Sequence, residues 1–103
     1  MNRIDPVGFA KALADDTRQQ IMKACCCRWL SVNEIVDHVG VSQPTVSHHL
    51  AVLREAGLVN SREDGKQTFY MLDQNRLAVC CGRLMLKFAP DEALTTTVGK
   101  ILG

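Results

Sequence analysis

Apolar positions along this chain recur mostly every three or four residues, the spacing of helices with one buried face. Pro6-Val7-Gly8-Phe9-Ala10-Lys11-Ala12-Leu13-Ala14 predicts a short apolar helix over 6–14, with proline in its first turn. Asp15-Asp16 supplies an N-cap for a second helix, whose Ile21, Ala24 and Cys25 share a face and whose end falls near Arg28. Ser31 with Glu34 three residues on predicts a capping box for a third helix. Ile35 and Val39 mark its buried stripe and Gly40 its stop. Ser42 or Gln43 caps a fourth helix with Pro44 in the first turn. There Val46, Leu50 and Leu53 stand at i, i+4 and i+7, and Gly57 ends the run.

The period then changes. Segments 58–63 and 66–72 flank Asp64-Gly65, a strong hairpin signal, and Thr68-Phe69-Tyr70 favours a strand. A last long helix follows Asp73, with Leu77, Cys81, Leu84 and Phe88 at i, i+4, i+7 and i+11 as a coiled-coil-like seam. Ala89-Pro90 ends it. The predicted fold is mainly α with a β-hairpin wing. It comprises one domain over 1–90 and a weakly patterned tail, loose or briefly helical, over 91–103.

Composition narrows this little. The chain has 103 residues, 47% of them hydrophobic and 22% charged, an ordinary globular balance for one domain. No apolar run approaches the ~18 residues of a membrane span, and the first residues do not read as a signal peptide. The expected location is the cytoplasm, with no membrane contact. The net charge of +1 does not advertise nucleic acid, so any phosphate-binding surface must come from local placement.

Local placement does supply one. The third and fourth helices, joined by His38-Val39-Gly40-Val41-Ser42, form a predicted helix-turn-helix, whose second helix enters a major groove. With Val46 inward, His48 points outward between Ser47 and Thr45, and Gln43 sits at the helix start. These donors and acceptors suit base edges and phosphate oxygens. Arg54 further along the helix joins them, and Arg62 and Lys66 near the hairpin tip are placed as a wing on the DNA backbone. Either element alone is more often a solvated surface. The two in direct succession favour DNA. There is no nucleophile–base–orienter set, Gly-rich phosphate loop or open metal site, so an enzyme is not expected.

At these residues the chain resembles a known family. Ala12-Leu13-Ala14-Asp15-Asp16-Thr17-Arg18, then Ser42-Gln43-Pro44-Thr45-Val46-Ser47-His48-His49-Leu50-Ala51-Val52-Leu53-Arg54-Glu55-Ala56-Gly57-Leu58-Val59, then Gly65-Lys66-Gln67-Thr68-Phe69-Tyr70, resemble the ArsR/SmtB family of bacterial winged-helix repressors. The resemblance spans about 6–88. It implies a homodimer through the first and last helices, double-stranded operator DNA with an inverted repeat as partner, and release when an inducer binds. The seam on the last helix independently favours the dimer.

The inducer must be sought residue by residue. Where the family's arsenic and cadmium motif Glu-Leu-Cys-Val-Cys-Asp-Leu would lie, this chain has Trp29-Leu30-Ser31-Val32-Asn33-Glu34-Ile35, without cysteine. Where the family's zinc site on the last helix uses Asp, His, His and Glu, Asp73 remains beside Asn75, Leu86 and Ala89. What is left is thiol: Cys25, Cys26 and Cys27 closing the second helix, and Cys80 and Cys81 on the last. Without a C-x-x-C pair these suggest neither a zinc ribbon nor a thioredoxin motif. Family precedents use adjacent cysteines on the last helix for As(III), or one cysteine on each of these two helices for persulfide or oxidant. Consecutive helical residues diverge by about 100°, so three in a row cannot face one ion unless the helix frays.

The resulting expectation is a repressor that needs no cofactor to bind DNA. It releases its operator when As(III) or a similar soft metalloid takes three of the five thiolates. The alternative is a persulfide- or redox-sensing repressor on the same scaffold. A thiol protein that buffers soft metal without touching DNA is a third reading. Buried cysteine is the competing explanation, strongest for Cys25 and Cys81. Trp29 is expected as a packing anchor, His49 as partly buried packing, and Met22, Met71 and Met85 as core filler.

Overall fold

The computed structural model of the chain describes residues 6–88. In order it contains α1 (Pro6–Leu13), α2 (Asp16–Ala24), β1 (Leu30–Ser31), α3 (Val32–Val39), α4 (Gln43–Glu55), β2 (Val59–Asp64), β3 (Gln67–Leu72) and α5 (Gln74–Phe88). The Ala89-Pro90 stop and the 91–103 tail lie outside the described residues.

The caps work as the sequence predicts. The Asp15 carboxylate accepts from the Arg18 N–H at 2.9 Å. Ser31 and Glu34 form a full capping box, with Ser31 Oγ accepting from Glu34 N–H and Glu34 Oε1 from Ser31 N–H. Ser42, not Gln43, caps α4. At the other end of α4, Gly57 takes φ +76° and Leu58 N–H reaches back to the Leu53 carbonyl at 2.9 Å. That six-to-one bond closes a Schellman motif, for which the left-handed residue must be glycine or similar.

One core joins all the helices to the sheet. Phe9 and Ala12 of α1, Ile21 and Met22 of α2, Ile35 of α3, and Val46, Leu50 and Leu53 of α4 meet Leu30, Leu58, Val59, Leu72, Cys25 and Cys80. Val39 is only half-buried, at the edge of this cluster.

Four expectations need correction. The second helix stops at Ala24, with Cys25 as its C-cap, well before Arg28. Its next carbonyls are taken by other elements: Leu72 N–H donates to Cys25 O at 2.9 Å and Gln74 Nε2 to Cys26 O at 3.2 Å. The hairpin turn is displaced by one residue, since Asp64 pairs with Gln67 and the turn centres on Gly65-Lys66. Gly65 at φ +66° occupies the first central position, as a type II′ turn requires. A third strand, β1, adds to the predicted hairpin; Leu30 pairs with Tyr70 and Ser31 with Phe69, giving the antiparallel order β1-β3-β2. Two residues carry no readable alternation, so only the long-range pairing reveals them.

The fourth correction concerns α5. The inward residue is Cys80, while Leu77, Cys81 and Leu84 are half-buried and Phe88 is 77% exposed. Met85 is exposed rather than core filler, Met71 is half-buried, and Met22 alone of the three is buried. The helix meets the core through the row Leu77, Cys80, Cys81, Leu84, at i, i+3, i+4 and i+7. Its last turn extends past that contact.

Candidate nucleic-acid interface and thiol site

Gly40, at φ +73°, ends α3 in the left-handed conformation and lets the chain turn into α4 within three residues. Val46, Leu50 and Leu53 are 0–1% exposed and lock α4 onto the core. Around the rest of the helix Gln43, Thr45, Ser47, His48 and Arg54 are all exposed, with His48 opposite the buried stripe and Gln43 and Arg54 on its flank. Every helix residue predicted for DNA contact is therefore exposed, on a helix whose apolar stripe is fixed to the core. The Thr45 hydroxyl is held by Ser42 Oγ at 2.9 Å, which fixes its direction at the helix start.

His49, next to His48, does something else. It is half-buried, with Nδ1 3.0 Å from Arg18 Nη1 and Nε2 4.0 Å from Asp15 Oδ1. Arg18 also donates to the carbonyls of Ala12 at 2.7 Å and Lys11 at 3.1 Å. This network ties α4 to α2 and to the end of α1. The Arg18 backbone N–H, then the nearby His49 and Arg18 charges, hold the Asp15 carboxyl below its ordinary pKa against the opposing effect of desolvation. Sequence reasoning missed Arg18 as an anchor of α4. The only signal was its place in the Asp15-Asp16-Thr17-Arg18 run.

On the wing, Lys66 is exposed in the turn. Arg62, also exposed, lies two pairs back from the last rung, and its guanidinium sits 4.7 Å from the centre of the Trp29 ring. That cation–π contact makes Trp29 the platform for Arg62. Gln43 and Lys66 line a common polar notch of about 290 Å³ between α4 and the wing, with Asn33 and Thr68. The start of α4 and the tip of the wing thus border the same notch.

The five cysteines separate into distinct environments. Cys25 is buried, and burial pushes its thiol up to about 11. Cys26 and Cys27 lie in the irregular segment after α2, with their sulfurs 3.1 Å apart. The hydrogen bond to Cys27, followed by desolvation, raises the Cys26 pKa. Cys27 is exposed, and Gln74 Nε2 points at its sulfur from 3.9 Å. A surface pocket of about 390 Å³ opens beside the pair, between β3 and the start of α5. Cys80 is buried and Cys81 half-buried, its thiol raised by desolvation and then by Cys80. Cys80 lies six residues beyond Gln74, about 9 Å at helical rise. Among the described residues, no three of His, Cys, Asp and Glu are gathered as an ion would need. Asp73 serves as the cap of α5, accepting from Arg76 N–H at 2.9 Å and from Asn60 Nδ2 at 3.5 Å.

Helices α1–α5 around one core, with α3 and α4 as a helix-turn-helix and the β2–β3 hairpin as a wing, define a winged helix-turn-helix protein. The family of bacterial regulatory proteins named arsR matches residues 15–61. The Agrobacterium fabrum biofilm growth-associated repressor is 40% identical over 87 residues, covering 82% of this chain and 73% of that protein. The chain belongs to the arsR family. The transcriptional regulator KmtR of Mycobacterium tuberculosis is 45% identical over 67 residues, covering 65% of this chain and 52% of that one. A probable mercury resistance operon repressor of Streptomyces lividans is 40% identical over 70 residues, covering 68% and 56%. The chain therefore spans about half the length of these last two relatives. Among solved structures, reduced HlyU from Vibrio cholerae superposes with a TM-score of 0.64 at 35% identity, covering 80% of this chain and 85% of that one. An ArsR-like regulator from Rhodococcus shares the fold over 93% and 91%, with TM-score 0.75 and 23% identity. No helix among the described residues is long and apolar enough to cross a membrane.

Proposed function

We propose that this chain is a DNA-binding transcriptional repressor, acting in the cytoplasm as a homodimer on an inverted-repeat operator. A thiophilic metalloid, As(III), releases it. The observation that carries the DNA reading is the exposed face of α4, where Gln43, Thr45, Ser47, His48 and Arg54 stand over a fully buried Val46-Leu50-Leu53 stripe. A rigid helix with donors on its outer face reads base edges, and Arg62 and Lys66 on the wing reach phosphate. Large apolar side chains stay exposed on the helices that would meet a second copy: Val7 on α1, and Val79, Met85, Leu86 and Phe88 on α5. Burying them against a twin is the simplest way to remove that surface from water.

The inducer reading rests on the sulfur pair. Cys26 and Cys27 offer two soft donors at 3.1 Å beside an open pocket. As(III) prefers three thiolates, so a third must come from Cys25, Cys80 or Cys81, and each is wholly or partly buried. The fit is partial at rest and requires the α2 end and α5 to shift. A ligand that favours the shifted state lowers operator affinity by the difference in its affinity for the two states. The mercury-resistance repressor among the relatives supports a soft metal or metalloid as the class of signal.

Fluorescence anisotropy of the reduced protein on its own upstream DNA, titrated with arsenite at two salt concentrations, tests both parts. Tight, salt-sensitive binding that arsenite abolishes is the expected result. Binding indifferent to arsenite removes the metalloid reading, and absence of binding at low salt removes the DNA reading.

A further inference from the structure

We propose that Cys26 and Cys27 form a modification site that a peroxide-class oxidant closes, reversibly, to a disulfide between neighbouring residues. The proposal is independent of the metalloid reading, although it uses two of the same sulfurs. It also differs from a link between the α2 and α5 clusters.

Geometry selects this pair. In a regular helix, adjacent side chains diverge by about 100° and their sulfurs do not meet. Here α2 has ended at Ala24, and Cys26 and Cys27 follow its cap in irregular chain. Their sulfurs have come to 3.1 Å, about 1 Å more than a covalent S–S bond. Access favours the same pair, because Cys27 is exposed and both residues line the pocket of about 390 Å³ with Gln74 and Asp73. The other thiols are worse placed. Cys25 has no exposed surface and keeps its proton far above neutral pH. Cys80 is buried against the core.

The chemistry balances with the oxidant alone. The exposed Cys27 sulfur, as thiolate, attacks one peroxide oxygen and breaks the O–O bond. Cys27 becomes a sulfenic acid, and the other oxygen leaves as water or alcohol after taking a proton. The Cys26 sulfur then attacks the Cys27 sulfur, the S–S bond forms, and the hydroxyl leaves as water with the Cys26 proton. Two thiol hydrogens are lost and one peroxide is reduced. Adjacent Cα atoms lie about 3.8 Å apart, below the usual disulfide span of about 4.4–6.8 Å. The closed ring is therefore strained, and a thiol reductant reopens it readily. The pair acts as a reversible mark rather than a structural brace.

Trypsin separates the clusters, since cleavage after Lys23 and Arg28 isolates 24–28, and cleavage after Arg76 and Arg83 isolates 77–83. The full-length reduced protein is treated with hydrogen peroxide, its remaining thiols are alkylated in acid, and the peptides are read by mass spectrometry. The expected product is 24–28 lighter by two hydrogen masses, with fragment ions placing the bond between Cys26 and Cys27. Peptide 77–83 keeps two alkylatable thiols, the protein loses two of its five thiols, and dithiothreitol restores them. Cys25→Ser keeps the closure and Cys27→Ser abolishes it. A cross-link between 24–28 and 77–83, a bond to Cys25, oxygen addition without hydrogen loss, or an unchanged peptide each overturns the proposal.

Discussion

Helices α4 and α5 are similar in length, 13 and 15 residues, and each has an apolar stripe beside a polar face. In α4 the whole stripe is inside the chain's own core, and the polar face is outside. In α5 only Cys80 is fully buried, and four large apolar side chains face solvent. The difference lies in what surrounds each helix. Helices α2 and α3 and strand β2 enclose α4, while α5 rests on α1 and leaves one flank open. The lesson is a division of labour. The helix proposed to read DNA is held rigidly within one subunit, and the helix proposed to meet a second copy keeps an open apolar flank. The thiol pair sits at the N-terminal end of α5, against Gln74.

The most severe way to break the comparison is to hollow α4. Leu53→Ala is expected to cost about 2–5 kcal/mol, a large share of a stability of order 5–15 kcal/mol. Leu86→Ala on the open flank of α5 should cost within about 0.5 kcal/mol in dilute, monomeric protein. Urea unfolding of both variants measures this, and similar losses would erase the distinction.

A second test acts on assembly. Replacing Leu86 and Val79 together by Glu should leave far-UV circular dichroism unchanged and shift sedimentation toward monomer. Operator affinity should fall by at least about tenfold as paired half-sites are lost. An unchanged sedimentation coefficient would remove α5 from the interface.

On the reading face, His48→Ala should weaken operator binding by about 1–3 kcal/mol and move stability by no more than about 0.5 kcal/mol. Lys66→Ala should lower affinity evenly across sequences and reduce the salt slope by about one. Anisotropy on operator and scrambled duplexes separates the two effects. His49→Ala should instead destabilise the fold, because it leaves Arg18 and Asp15 without their partner on α4.

The thiols sharpen the contrast at smaller scale. At pH 8, iodoacetamide should label Cys27 first, with Cys25 last, because burial holds its proton to about pH 11. Peptide mapping over time gives the order, and early labelling of Cys25 would show that the α2 end opens.

The smallest effect is electrostatic. Asp15 is held below its ordinary pKa, chiefly by the Arg18 N–H, and Glu34 by the Ser31 N–H. Both carboxyls have depressed folded pKa values. Their stabilisation is present above the unfolded values near pH 4 and is lost as pH falls through the folded ones. Thermal midpoints from pH 6 to 3 should fall, and the Asp15→Asn variant should fall less steeply.

Much of this was legible in the chain. Local chemistry writes caps and turns: Asp15, Ser31, Glu34 and Ser42 cap as their types and spacing predict, and Asp64-Gly65 announces the hairpin even though the turn centres one residue later. The α4 stripe was legible because a core on one side imposes the helical period without exception. The candidate DNA contacts follow from it as the complement of that stripe. The end of α2 was not legible, because Leu72 and Gln74, both distant in sequence, take the carbonyls of Cys25 and Cys26. Nor was β1, a two-residue strand that exists only beside β3.

By itself the sequence determined what neighbouring residues enforce on each other: helix starts, the glycine turns, the apolar period and the polar face opposite it. Tertiary structure alone decided which thiols meet, which side of α5 lies inward, and what anchors His49 and Arg62. Those outcomes depend on contacts between elements far apart in the chain. An adjacent run of cysteines reads the same whether its sulfurs diverge on a helix or converge, as Cys26 and Cys27 do, where the helix has ended.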